Sequence, residues 1–181
     1  MYLKTLRHWL FRLIVAVVCS IMIWSFTIPW WTARITSVSP VGERFYQLNI
    51  YGWGIPSPTD INLVQYIAQD VTPIYQTYLA WAYVGISITA ALVSTYLKGK
   101  KGQLLLGISG IGLVVYALVA AFMVIATRLN ELGIAFQGTS SYQSAHILSS
   151  LRFGFYLACI TGSLFIVLAF VRNIIVGKSK E

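Results

Sequence analysis

The sequence predicts an all-α membrane protein: a four-helix transmembrane bundle with a small extracellular β-sheet from the first outer loop and, as an open alternative, also from the second. The 181 residues are 57% hydrophobic, with a mean hydropathy of +0.74. Only 10% of them are charged, whereas soluble domains are about 25% charged. Four segments without Lys, Arg, Asp or Glu are long enough to cross a bilayer as helices. We therefore expect a single membrane domain over residues 1–181.

Two long loops and one short turn separate the predicted spans. The spans are 13–31, 74–97, 104–127 and 153–171, the outer loops are 32–73 and 128–152, and the inner turn is 98–103. The first span follows a basic segment, so a cleaved signal peptide is the competing interpretation of its sequence. Its apolar run is longer than that of a signal peptide and ends at Pro29-Trp30-Trp31 instead of a small-residue cleavage site. We therefore expect the first span to remain in the protein.

Charge is divided unequally between the two sides of the predicted bundle. The two terminal segments and the inner turn carry nine Lys or Arg residues and one acidic residue, Glu181. The outer loops carry four Arg and four acidic residues, so the net charge of +8 belongs to the inner side. An excess of Lys and Arg is typical of cytoplasmic segments. We expect a plasma (cell) membrane protein with cytoplasmic termini, whose basic residues contact membrane lipids and not nucleic acid.

The first outer loop has the pattern of a β-hairpin followed by a short helix. Residues 32–38 are rich in β-branched side chains, and residues 44–51 alternate between two faces, which predicts two strands joined by a turn at 39–43. A helix is predicted over about 60–70, and Pro73 would open the second span. The two faces of the second strand are Phe45, Gln47, Asn49 and Tyr51 on one side and Tyr46, Leu48 and Ile50 on the other.

The second outer loop is polar and nearly uncharged. A short strand at about 133–136 would add to the hairpin of the first loop, which is why the contribution of this loop to the sheet stays open.

This organisation resembles the claudin and peripheral-myelin-protein tetraspan superfamily. Pro29-Trp30-Trp31 stands where that family has a Trp just past the first span, and Tyr51-Gly52-Trp53 stands, 22 residues later, where it has Gly-Leu-Trp. The two cysteines that follow in the family's first loop are absent here. The resemblance implies that Trp30, Trp31, Gly52 and Trp53 anchor an outer sheet to the bundle. The alternative is that these Trp residues lie in the interfacial belt, as in any four-span protein.

The sequence favours no catalytic, cofactor or metal chemistry, so we expect a protein that is not an enzyme. His8 and His146 lie on opposite sides of the membrane, so they cannot ligate one haem, and neither has a partner at metal spacing. Cys19 and Cys159 lie inside spans at depths that differ by roughly 10 Å, which disfavours a disulfide. The spans contain none of the charged groups on which ion-coupled transport depends.

Two further patterns mark candidate contact surfaces. Tyr46 and Tyr51 lie on opposite faces of the second predicted strand, so at least one leaves the inner side of the sheet and is an interaction candidate. Gly154, Ala158 and Gly162 recur at four-residue spacing, which allows a second helix to approach closely. That second helix belongs either to the same bundle or to another protein.

These patterns lead to three functional hypotheses. The first is a claudin-like membrane protein that acts in assembly, adhesion or barrier formation, by self-association or by binding other membrane proteins. The second is a non-catalytic accessory subunit of a larger membrane complex of the respiratory or oxidase type. The third is a component of a channel or transporter.

Overall fold

The structure, a computed structural model, consists of four long helices and one four-stranded sheet. The residues that it describes are 2–39, 42–55, 74–97, 99–142 and 145–176. The helices, numbered in chain order, are α1 Tyr2–Thr27, α2 Ile74–Ser94, α3 Gly99–Glu131 and α4 Phe153–Val176. Each is long and apolar enough to cross a membrane. The predicted combination of four apolar helices with a small sheet is therefore confirmed.

Each outer loop contributes two strands to the antiparallel sheet. The strands are β1 Trp31–Ser39, β2 Gly42–Ile50, β3 Gly138–Tyr142 and β4 Ala145–Leu151. Their order across the sheet is β2-β1-β4-β3, so β1 of the first loop pairs with β4 of the second. In this register Ile35 lies opposite both Tyr46 and Ile147. The hairpin predicted for the first loop is confirmed, and the second loop joins the same sheet.

The predicted ends of the first span and of the inner turn were wrong. The first span was predicted to reach residue 31, but α1 ends at Thr27 and Trp31 begins β1. Pro29 explains this end, because the residue before a proline avoids helical geometry and proline has no N–H to continue the helix. The inner turn was predicted at 98–103, but α3 already begins at Gly99, whose φ of 60° suits glycine.

The second outer loop also differs from its prediction. Helix α3 continues to Glu131, four residues past the predicted end of the third span. The strand expected at 133–136 is absent: Gly133 lies in a turn with a φ of 71°, residues 134–136 belong to no strand, and the strands follow at 138–142 and 145–151. The helix predicted at 60–70 and Pro73 lie outside the described residues.

Helix α3 is longer than a membrane span and connects two hydrophobic cores. Its 33 residues extend over roughly 50 Å, whereas the hydrocarbon core of a bilayer is about 30 Å thick. Within it, Val119–Ile125 is a π-helical segment. Ala117, before this segment, lies in the bundle core, whereas Ile125 and Leu129 pack against the buried face of the sheet. The π-helical segment therefore lies where the helix passes from one core to the other.

The two ends of the bundle differ in charge. We call the end that carries the sheet the sheet end. We call the opposite end the basic end, because the described residues there include no acidic side chain but several basic ones: Arg7, Arg12, Lys100, Lys101 and Arg172.

Arg172 differs from the expectation that the basic residues face lipid headgroups. It is only 4% exposed and lies among the helices. Its guanidinium donates hydrogen bonds to the carbonyl oxygens of Gly99 (2.8 Å), Ser94 (3.0 Å) and Leu97. These carbonyls belong to the end of α2 and to the turn into α3, where a helix leaves its last carbonyls without intrahelical donors. Arg172 therefore holds the connection between α2 and α3 from inside the bundle.

Candidate functional site

Trp30 occupies the junction between the sheet and the bundle. Its side chain is completely buried, and its indole N–H donates to the carbonyl oxygen of Ser25 at 2.7 Å. Its backbone N–H donates to Ile50 O at 2.8 Å, and its carbonyl accepts from the backbone N–H of Arg152 at 2.8 Å. One residue thus connects α1, strand β2 and the segment that enters α4.

Two glycines make room for the indole ring of Trp30. A Cβ atom at Gly52 would lie 2.5 Å from the ring carbon Cε2, which is closer than atoms pack. A Cβ atom at Gly154 would lie 2.7 Å from Cδ1 of the ring and 2.7 Å from the carbonyl oxygens of Ile28 and Pro29. The ring therefore requires glycine at both positions.

The turn after β2 is tied to the bundle by two further side chains. The indole N–H of Trp53 donates to the carbonyl oxygen of Phe26 in α1 at 2.9 Å, and its ring stacks on Tyr51 with a centroid distance of 5.3 Å. The hydroxyl of Tyr116 in α3 donates to the carbonyl oxygen of Gly52 at 2.6 Å. Tyr116 therefore holds the backbone of the turn at Gly52, and Trp53 holds the turn through its side chain.

Trp31 faces the core beneath the sheet. It is completely buried, and its indole N–H donates to the carbonyl oxygen of Phe136 at 2.6 Å. Around it lie buried residues of the strands and the end of α3, among them Ile35 and Leu129. Neither Trp30 nor Trp31 faces the surroundings of the protein, so the interfacial-belt interpretation of this pair is wrong.

The small-residue ridge of α4 is buried within the chain. Gly154, Ala158 and Gly162 are all buried, with Gly154 against the turn that contains Trp30. A Cβ atom at Gly162 would lie 2.7 Å from Cγ2 of Val114 and 2.9 Å from the carbonyl oxygen of Gly110, both in α3. Of the two alternatives for this ridge, the structure shows the contact within the bundle.

A larger side chain on this ridge should separate α3 from α4. We expect Gly162→Leu to lower the stability of the protein by about 1–3 kcal/mol, because extra methylenes in a packed core force side chains and backbone apart. Thermal unfolding in detergent micelles measures this change. Gly85→Leu is the matched control, because a Cβ atom at Gly85 in α2 meets no atom within 4 Å. An unchanged unfolding temperature for Gly162→Leu, with an altered oligomer, would instead make the ridge a contact between proteins.

The face of the sheet that points away from its buried core is called the outer face, and it carries Arg34, Phe45, His146 and Leu148. The contacts of Trp30, Trp31 and Trp53 hold this face in place. On β2 the side chains of Leu48 and Ile50 are buried, whereas Phe45, on the other face, is 73% exposed. On β4 the exposed apolar residue of this face is Leu148, at 52% exposure. Between them runs a shallow depression of about 630 Å³, whose lining includes Arg34 and His146. The face therefore combines apolar side chains with polar groups.

The two tyrosines predicted as interaction candidates do not dominate this outer face. Tyr46 is half-buried and packs against the core beneath the sheet, and Tyr51 is half-buried on Trp53. Phe45 and Leu148 are more exposed, and they were not singled out from the sequence. The alternation of residues along β2 could have identified Phe45, because it places Phe45 on the face opposite to Leu48 and Ile50.

Among the described residues, no three His, Cys, Asp or Glu side chains lie close enough together to hold a metal ion. His146 lies on the outer face, opposite Thr36 on β1 and Ser141 on β3. Comparison with protein-family models, with curated proteins and with solved structures found no match to this chain.

Proposed function

We propose that the protein is a non-catalytic, claudin-like plasma-membrane protein whose outer sheet docks against further copies of itself to build adhesive or barrier-forming assemblies. In the orientation that we propose, the sheet end lies outside the cell and the basic end in the cytoplasm. The asymmetry of charge supports this orientation, because cytoplasmic segments carry the excess of Lys and Arg.

The observation that carries the proposal is a sheet fixed on one face and open on the other. Hydrogen bonds of Trp30 and Trp53 tie the sheet and its turn to α1, and Trp31 packs with the end of α3, so little conformational entropy remains to be lost when a partner binds. Phe45 and Leu148 project from the other face, and within the described part of the chain no element covers them. Exposed aromatic and aliphatic side chains with a polar surround are typical of protein–protein interfaces.

The charge of the outer loops fits a second copy as the partner. These loops carry four Arg and four acidic residues, so two outer surfaces that meet do not repel each other through net charge. Among the strands of the described residues, β2 lies at one edge of the sheet. An edge strand presents unpaired backbone groups with which another chain can pair.

Cysteine crosslinking tests the contact between copies directly. In a background with Cys19→Ser and Cys159→Ser, we expect Phe45→Cys to form disulfide-linked dimers in the membrane. Ile174→Cys is the matched control, because Ile174 is 77% exposed at the basic end of α4, far from the sheet. Equal crosslinking of both variants would indicate random collision. A monomer that co-purifies stoichiometrically with larger membrane subunits would contradict self-association and favour an accessory subunit.

A charge on the outer face should prevent the same association. We expect Phe45→Asp to weaken self-association at least tenfold, about 1.4 kcal/mol, because a carboxylate cannot be buried without a partner. Analytical ultracentrifugation in mild detergent measures the dissociation constant. Asn130→Asp controls for the added charge, because Asn130 is exposed at the sheet end but outside the sheet. An unchanged dissociation constant for Phe45→Asp would remove the outer face from the interface.

A further inference from the structure

A groove between α3 and α4 lies near the basic end of the bundle. Its volume is about 430 Å³, and its lining is almost entirely apolar apart from Lys100 and Gln103. Small-molecule sites in proteins typically have volumes of about 300–1,000 Å³. The groove belongs neither to the outer sheet nor to the contacts that hold the sheet.

Small residues form the floor of this groove, and large residues form its walls. A Cβ atom at Gly107 of α3 would meet only the Cβ atom of Ala169 in α4, at 3.7 Å. Neither helix therefore has a side chain at this point that would fill the groove. Leu104, Ile111 and Phe170 rise on either side, with exposures of 64%, 55% and 71%. The groove is therefore open to the lipid that surrounds a membrane-spanning helix.

The length of the groove corresponds to one leaflet of a bilayer. Lys100 and Ile111 are eleven residues apart on α3, which is roughly 17 Å along the helix axis. Half of the hydrocarbon core of a bilayer is about 15 Å thick. An acyl chain that lies in the groove would therefore span the whole apolar part, with its headgroup at Lys100.

Polar groups are concentrated at the headgroup end of the groove. The amide of Asn173 in α4 donates to Oε1 of Gln103 in α3 at 3.1 Å, and Lys100 is exposed one turn nearer to the end of the helix. No acidic residue lies in the first turn of α3, so the backbone N–H groups there add to the positive potential. The described residues of the basic end include no acidic side chain to compete for Lys100. This positive potential favours a headgroup with a net negative charge over a zwitterionic one.

We propose that this groove binds one anionic phospholipid of the leaflet at the basic end. One acyl chain lies on Gly107 and Ala169 between the walls of α3 and α4, and the phosphate contacts Lys100. The contact resembles other sites in which a basic group between transmembrane helices holds a lipid headgroup. This binding site does not depend on the self-association proposed for the sheet.

Native mass spectrometry of the protein from nanodiscs tests this site. The nanodiscs contain equal amounts of dioleoyl phosphatidylglycerol and dioleoyl phosphatidylcholine, and the measurement is the number of each lipid retained per chain. We expect the protein to retain one phosphatidylglycerol in preference to phosphatidylcholine. We expect Lys100→Gln to reduce the retained phosphatidylglycerol about fivefold, because this variant loses the direct contact between the Lys100 ammonium group and the lipid phosphate. Equal retention of the two lipids by the unaltered protein would overturn the proposal.

Two matched controls separate this site from general attraction of lipid to the basic end. Lys101 is exposed and does not line the groove, so Lys101→Gln removes the same charge and should leave retention within twofold. Gly107→Leu fills the floor and should abolish retention of either lipid, whereas Gly85→Leu, on the open face of α2, should not. An equal loss in Lys100→Gln and Lys101→Gln, or full retention in Gly107→Leu, would contradict a groove-bound lipid.

Discussion

Replacing Trp30 with alanine is expected to lower the free energy of unfolding by about 3–5 kcal/mol, the range for the loss of a buried large aromatic side chain. The ring has Phe26, Phe155 and Tyr116 as neighbours at centroid distances of 5.1, 6.1 and 6.2 Å. Its removal also leaves the carbonyl oxygen of Ser25 without the indole donor. Because these contacts join the sheet to the helices, the sheet should separate from the bundle before the helices unfold.

Limited proteolysis and thermal unfolding in detergent micelles measure this effect together. In Trp30→Ala the strands should be cleaved at protease concentrations that leave the unaltered protein intact, while the helices keep their circular dichroism. Trp24→Ala is the matched control, because Trp24 lies in α1, shortly before Trp30 in the chain, and is 55% exposed. If both variants lose the same stability, or if the sheet stays protected in Trp30→Ala, Trp30 does not anchor the sheet.

A second variant tests the same anchor without removing the ring. Gly52→Ala adds a Cβ atom that would lie 2.5 Å from Cε2 of the Trp30 indole. We expect the same exposure of the sheet to protease, because the methyl group and the ring cannot both keep their positions. The turn that begins at Tyr51 should then leave the bundle, with Trp53.

The helices and the first hairpin could be predicted from the sequence because each has a local signature. Apolar length marks a membrane span, and β-branched residues with alternation mark a strand. The ends were less accurate, because residues 28–31 continue the apolar run of the first span although Pro29 ends its helix. Strands β3 and β4 were missed because neither sequence shows the clear alternation of apolar and polar residues that marks β2. Strand β4 pairs with the distant β1 and β3 pairs with β4, so this part of the sheet depends on a contact that local preference does not reveal.

The anchoring residues could be predicted in part, and their contacts could not. Trp30, Gly52 and Trp53 were recognised by a resemblance in spacing, but their partners are mainly backbone carbonyls, such as those of Ser25 and Phe26. Every residue has a backbone carbonyl, so no sequence pattern identifies which one accepts a bond. The glycines that flank Trp30 are separated by about a hundred residues and meet only in the fold.

Arg172 shows the same limit at the other end of the bundle. The distribution of charge along the sequence predicts that Arg172 faces the inner side with the other lysines and arginines. Its guanidinium is instead buried, because it donates to three backbone carbonyl oxygens, and the sequence does not show these partners. Its guanidinium lies over the ring of Phe11, with Cζ 6.0 Å from the ring centroid. A Cβ atom at Gly102 would lie 2.5 Å from one of its nitrogens, so a glycine in α3 makes room for the charged group.

Replacing Arg172 with methionine is therefore expected to release the connection between α2 and α3. Each carbonyl left without a donor costs about 1–3 kcal/mol when it stays buried, so the loss of stability should reach about 3 kcal/mol. Hydrogen exchange should accelerate at the amides of Thr95, Tyr96 and Leu97, which bond to the carbonyls of Leu92 and Val93 in this turn.

Two further substitutions distinguish the geometry of Arg172 from its charge. Arg172→Lys keeps the charge but not the planar fork that reaches several carbonyls at once, so it should restore only part of the protection. Arg7→Met removes an equal charge from an exposed position of α1 and should leave exchange in the turn unchanged. If Arg172→Lys is fully protected, a positive charge alone is sufficient there. If Arg7→Met accelerates exchange as much as Arg172→Met, the stability of the turn depends on the total charge of the basic end and not on the buried guanidinium of Arg172.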